Sequence, residues 1–257
     1  MSDPPAGSLR DTPDLARRYS RTSHWQRERG LLLIDFADPQ AGERAVDLGC
    51  GTGELSGELA RRVGPTGRVI ALDPNPARLQ QAEATIGPEH GNLVFAQAKA
   101  EDLAVVPDGS IDLVYSNYAI HWVLDQAAML GEARRILRPS GRLVAEFLSE
   151  PIPLFLRLIL MMPGGEAVEG ENCFLDEAAW RSMTAAQGFE ILSFERPQFT
   201  LRYDDLPALF DWLEATSHGA FDARSVPPAA RRDLERQYPG DVACQCKAFR
   251  MALAARR

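Results

Sequence analysis

The stretch Val46 to Ser56, VDLGCGTGELS, changes character halfway along. Up to Leu48 it reads as the end of a buried strand; from Glu54 onward it has helical spacing. Between them Gly49, Gly51 and Gly53 recur at every second position. Without β-carbons they permit positive φ and close approach of a ligand to the backbone at a helix N-terminus. The residue that discriminates among ligands is Asp47. A carboxylate just ahead of the loop repels a pyrophosphate and attracts an ammonium group. The spacing is G-x-G-x-G, whereas dinucleotide loops read G-x-G-x-x-G. Twenty residues beyond Gly53, Asp73 closes the next apolar run, where an acidic side chain accepts hydrogen bonds from ribose hydroxyls. A nucleoside carrying a cationic amino-acid tail satisfies both carboxylates.

Working outward, RAVDLG (44–49), RVIALD (68–73), LVFAQA (93–98), IDLVYSN (111–117) and RLVAEFL (142–148) are short apolar runs of strand length. The segments between them, 54–63, 76–86 and 125–137, have the length and apolar spacing of crossover helices, so the strands are expected to be parallel and covered on both faces. This is a doubly wound α/β sheet, whose ligand sits beyond the carboxyl ends of its strands. ILSFERPQF (191–199) and KAFRMALAA (247–255) supply two further strands, seven in all, and helices are expected over 14–37, 176–187, 204–216 and 227–237. The expected organisation is an N-terminal helical cap over 1–43, whose first 13 residues are polar and proline-punctuated, and a main domain over 44–257. Within that domain 150–190 and 204–240 are substrate-covering insertions. Residues 153–163 form a short helix apolar all round, open to three uses: lid, core element or dimer contact.

Composition narrows the class. The chain has 257 residues, 45% apolar and 25% charged, with a net charge of −8. That is an ordinary globular balance, and without a basic run it offers no surface for nucleic acid. No apolar run reaches the ~20 residues that cross a bilayer, and the N-terminus lacks a signal-peptide core. A cytoplasmic location without a membrane partner is expected. Cys50, Cys173, Cys244 and Cys246 lack paired zinc-type spacing, so reduced thiols and no metal are expected.

The ordered set VDLGCGTGELS, VIALDPNPARL, AQAKAEDLAV, IDLVYSNYAIHWV and EARRILRPSGRLVAEF resembles the class I S-adenosylmethionine-dependent methyltransferases over roughly residues 44–148. The resemblance implies a Rossmann-like, mostly parallel seven-stranded sheet with an antiparallel last strand and helical lid elements, and S-adenosyl-L-methionine as cofactor. Asp47, Gly49, Cys50, Gly51 and Gly53 would hold the methionine end, Asp73 the ribose, and Pro74, Ala100 and Glu101 the adenine, with Asn117 also on the cofactor side. Many relatives carry aspartate where this chain has Lys99, which leaves Glu101 and Asp102 as the nearby acids. SNYAIHWVLD (116–125) is most similar to a subgroup that includes trans-aconitate, malonyl-carrier-protein and juvenile-hormone-acid methyltransferases. That likeness is extended by Tyr19 and Gln26 near the N-terminus and by LFDWLEATSHGAF (209–221), which resembles a helix that closes those sites. It implies that Gln26 and Trp122 bind a substrate carboxylate, with Tyr19 and Tyr118 on the same side.

The implied chemistry is a methyl transfer from a sulfonium, an in-line displacement that depends chiefly on positioning. A carboxylate acceptor is ionised at neutral pH and needs no base, whereas a carbon acid, phenol or amine benefits from one. His121 is the candidate base; the competing reading makes it a helix-end hydrogen-bonding group. The expected function is O-methylation of a carboxylate on a small apolar acid. The alternatives are carbon or nitrogen methylation in secondary metabolism with His121 as base, and a nucleoside-binding protein without catalysis. A homodimer is left open by the apolar 153–163 segment.

Overall fold

The computed structural model describes residues 11–256, with only the backbone of Val168 and Glu169; most of the proline-punctuated N-terminus lies outside the described residues. In chain order the elements are α1 (Pro13–Thr22), α2 (His24–Ala37), β1 (Arg44–Leu48), α3 (Glu54–Val63), β2 (Arg68–Asp73), α4 (Pro76–Thr85), β3 (Leu93–Gln97), β4 (Ile111–Asn117), α5 (Gln126–Ile136), β5 (Leu137–Leu148), α6 (Pro153–Leu160), α7 (Gly165–Glu169), α8 (Glu177–Ala186), β6 (Phe189–Glu195), β7 (Gln198–Tyr203), α9 (Leu206–Thr216), α10 (Pro228–Gln237) and β8 (Val242–Ala255). The sheet runs β3-β2-β1-β4-β5-β8-β6, with β7 paired to β8 off this path. Pairings from β3 to β5 are parallel, and every pairing of β8 is antiparallel. The fold is thus the Rossmann-like, mostly parallel mixed sheet expected.

Three details differ from expectation. The helix expected over 14–37 breaks at Ser23 into α1 and α2. The strand expected over 191–199 is two, β6 and β7, because Pro197 offers no N–H to a ladder. The last strand starts five residues earlier, at Val242; its first part pairs with β7, and from Ala248 it pairs with β5.

Alternation along the strands explains the layers. Val69, Ala71, Leu113 and Tyr115 face a cluster with Leu33 and Ile34 of α2 and Leu59 and Val63 of α3. Leu72 and Val114 face the opposite cluster with Met129 and Ala133 of α5 and Trp180 of α8. A third cluster lies apart from both and joins α6, β7, α9, α10 and the start of β8. The apolar α6 belongs to it through Leu154, Phe155, Leu158 and Ile159, while Leu160 is exposed. No helix among the described residues is long and apolar enough to cross a membrane.

Candidate active site

A cavity of about 370 Å³ opens beyond the carboxyl ends of β1, β2 and β4, between the sheet and the third cluster. The predicted residues Tyr19, Gln26, Asp47, Gly49, Cys50, Gly51, Asp73, Pro74, Ala100, Glu101, Asn117, Tyr118, His121 and Trp122 all line it. Gly53 does not. It caps α3 in the left-handed region at φ 86°, and a β-carbon there would fall 2.9 Å from that of Ala82. Of the two acids near Lys99, Glu101 lines the cavity, while Asp102 accepts the amide N–H of Ala104 at 3.2 Å.

The glycine loop is tied down by its neighbours. The amides of Gly49 and Cys50 donate to Leu72 O (2.8 and 3.0 Å), and that of Gly51 donates to Asp73 Oδ2 (2.9 Å). Gly49 has φ 78°, and a β-carbon on it would sit 2.2 Å from the β-carbon of Ala119, so only glycine lets the two loops meet. Asp47, buried inside β1, accepts the Ser56 hydroxyl at 2.6 Å. Burial, with Asp73 adding like charge, pushes its pKa up to about 7. Burial also raises the Asp73 pKa. Asn117 Oδ1 is a buried acceptor without a hydrogen-bond donor, although its amide donates to Gln26 O at 3.0 Å.

Around this loop stand groups of the cap and the third cluster. Gln26 donates from Nε2 to Thr216 Oγ1 and accepts the Trp212 indole N–H, each at 3.2 Å, which ties α2 to α9. His121 is 6% exposed, stacks over Phe174 at 6.0 Å, and its Nδ1 is buried without a partner. Burial drops its pKa to about 3, so the imidazole is neutral across the physiological range. Trp122 sits edge-on to His218 at 5.1 Å, and its indole N–H makes no hydrogen bond among the described residues. Tyr118 adopts φ 54° and turns its hydroxyl to Glu146 Oε1 at 2.8 Å.

Several wall residues had gone unremarked in the sequence. Arg78 of α4 lies 4.1 Å below the Tyr19 ring, pairs with buried Asp11, and donates to Ala215 O at 3.2 Å. His218 Nδ1 lies 3.2 Å from the other oxygen of Asp11. Trp25 lies 4.7 Å from Tyr118 and also lines the cavity. A charged residue one turn into the helix that follows Asp73 was the available signal for Arg78. His218 falls within the 209–221 segment that resembles a site-closing helix, but nothing in its spacing or that of Asp11 points to their pairing.

The comparisons with known proteins agree with this geometry. Residues 46–145 match the family described as "Methyltransferase domain". The chain is similar to the trans-aconitate 2-methyltransferase of Methylobacterium radiotolerans, 32% identical over 208 residues that cover 77% of each chain. The chain belongs to the class I S-adenosylmethionine-dependent methyltransferases. It is also 37% identical over 130 residues, 49% of this chain and 50% of the relative, to the ubiquinone/menaquinone biosynthesis C-methyltransferase of Hahella chejuensis. The chain spans about a third to a half of the length of some of the curated relatives it matches. Among solved structures, the YcgJ protein of Bacillus subtilis superposes with a TM-score of 0.65 at 19% identity, covering 90% of this chain and 99% of that one.

Proposed function

We propose that this methyltransferase uses S-adenosyl-L-methionine to methylate a carboxylate oxygen of a small acid with an apolar body. The observation that carries the reading is the shape and chemistry of the cavity's far end. Beyond the Gly49–Gly51 loop it continues between Leu148, Ile152, Phe155, Leu156, Ile159 and Leu213, an apolar chamber. The same cavity is lined by two neutral donors, Gln26 Nε2, which gives one of its two hydrogens to Thr216 Oγ1, and the Trp122 indole, the latter beside an imidazole that burial keeps unprotonated. An acceptor that arrives already ionised suits such a site; one that must lose a proton finds in His121 a very weak base.

The residues present fit the cofactor. Asp47, with no cation against it among the described residues, would receive the ammonium, and Asp73 the ribose. Pro74, Ala100 and Glu101 would line the adenine, and the orphaned Asn117 Oδ1 is a further acceptor on that side. The cofactor supplies an activated methyl group on a positively charged sulfur. The chain's own work is to bind, to orient the acceptor oxygen in line, and to exclude water with the cap and α9. A relative matched over 77% of its length is named for an acid, trans-aconitate.

A second reading, transfer to carbon or nitrogen, is favoured by one observation: a second imidazole, His218, lines the cavity and is oriented by the Asp11 carboxylate 3.2 Å from its Nδ1. Trp122→Phe deletes the indole N–H while keeping an aromatic ring. On the carboxylate reading it raises the acceptor KM by about tenfold, the value of one hydrogen bond to a charged group, and leaves S-adenosylhomocysteine affinity unchanged. An unchanged acceptor KM, with turnover abolished in His218→Gln, would favour the second reading.

A further inference from the structure

We propose that Glu146 is the positioning residue of the acceptor site, fixing from inside the sheet both of the walls that carry the acceptor donors. The inference rests on the reading of Gln26 and Trp122 as acceptor contacts. Glu146 lies in β5 opposite Asn117 of β4 and Arg250 of β8, with no exposed surface. A carboxylate in such a place persists only when its oxygens are fully engaged. Arg29 Nε donates to Oε1 at 2.7 Å, the Tyr118 hydroxyl donates to the same oxygen at 2.8 Å, and Arg250 Nε donates to Oε2 at 2.7 Å. The three donors come from α2, from the end of β4 and from β8, so one side chain joins three elements.

Each connection leads to the site. Tyr118 stands at φ 54°, a conformation that a bulky L-residue keeps only when its surroundings impose it. Two bonds impose it: the hydroxyl to the Glu146 side chain, and the Tyr118 amide to Glu146 O at 2.7 Å. The resulting kink drives Ala119 against Gly49 and starts the single helical turn over 120–122 that carries His121 and Trp122. On the other side, Arg29 follows Gln26 by three residues on α2, one turn along the same face. Glu146 thereby sets where Gln26 and Trp122 stand relative to each other, without touching the cavity itself.

The test uses the full chain labelled with 5-fluorotryptophan, whose four indoles are Trp25, Trp122, Trp180 and Trp212, with resonances assigned by single Trp→Phe variants. In Glu146→Gln and in Tyr118→Phe the Trp122 resonance is expected to shift, with S-adenosylhomocysteine affinity by calorimetry within about threefold of wild type. With a carboxylic acid that the wild type methylates, each variant is expected to lose about tenfold or more in kcat, as for a misplaced acceptor, and the double variant to lose no more than the worse single one. An unmoved Trp122 resonance in both variants overturns the proposal, as does a cofactor affinity that falls in step with kcat, which marks general loosening. If Glu146→Gln does not fold, Tyr118→Phe decides by the same readouts, because it leaves the carboxylate paired with both arginines. If no acid is methylated by the wild type, the carboxylate reading fails, while the resonance of Trp122 still decides the role of Glu146.

Discussion

Asp47 concentrates the electrostatic argument in one side chain. Folding raises its pKa from 3.8 to about 7. Between those values the folded chain holds a proton that the unfolded chain has released, so the group favours the fold at acid pH, and that contribution is lost as pH rises through 7. Asp47→Asn stays neutral throughout. In the empty protein it is expected to raise Tm at pH 8 by on the order of 10 °C, to leave Tm unchanged near pH 4, and to abolish S-adenosylhomocysteine binding. Thermal scans at the two pH values and one titration check this. His121 runs in the opposite sense: its pKa falls from 6.5 to about 3, so its contribution is present above pH 6.5 and is lost as pH falls toward 3. His121→Gln is expected to keep turnover within about threefold, since general-base catalysis is worth 10²–10⁴-fold where it operates, and a hundredfold loss would restore the base role. Asp47 was legible because a charge before a glycine turn constrains the ligand directly. Glu146 was visible only as a charge inside the apolar run RLVAEFL; its partner Arg250 lies 104 residues away, and no short-range pattern connects them.

At the scale of elements, α2 is held to the sheet by apolar packing, whereas the chain around α1 is tied to α4 and α9 by ions. Arg78 of α4 pairs with buried Asp11 and reaches Ala215 of α9, and Arg18 of α1 pairs with Asp211 and Glu214 of α9. Arg78→Ala leaves the Asp11 carboxylate buried with His218 as its remaining ionic partner among the described residues, a change that costs about 3–5 kcal/mol where a buried pair is broken. Hydrogen exchange is expected to rise at least about tenfold in α1 while β1 and β4 keep their protection, because their core does not include the cap's ion pairs; unchanged exchange in α1 contradicts this. The strands and crossover helices from β1 to β5 were legible because burial on both faces gives continuous apolar runs bounded by turns. The ends were less so. A proline inside ILSFERPQF separated two strands, and Ser23 interrupted a helix whose apolar spacing runs on either side of it.

Across the whole molecule, the cavity divides as the sequence signals divide. The side that holds the glycine loop is built from the loops that follow the consecutive strands β1, β2 and β3, close to each strand's end. Its acceptor side is gathered from residues near 19–26, 118–124, 148–159, 172–174 and 212–218, which meet only after the third cluster folds against the sheet. The fold class and the strand-end loops were therefore legible in the sequence, and the apolar chamber was not. The central claim concerns what is made there. The most direct measurement incubates the protein with methyl-labelled S-adenosyl-L-methionine and a panel of apolar carboxylic acids, trans-aconitate included, and then treats the product with base. The carboxylate reading predicts that an acid takes up label and that base releases it as volatile methanol, as a methyl ester must. Label that stays in the non-volatile product after base, as on carbon or nitrogen, would contradict it.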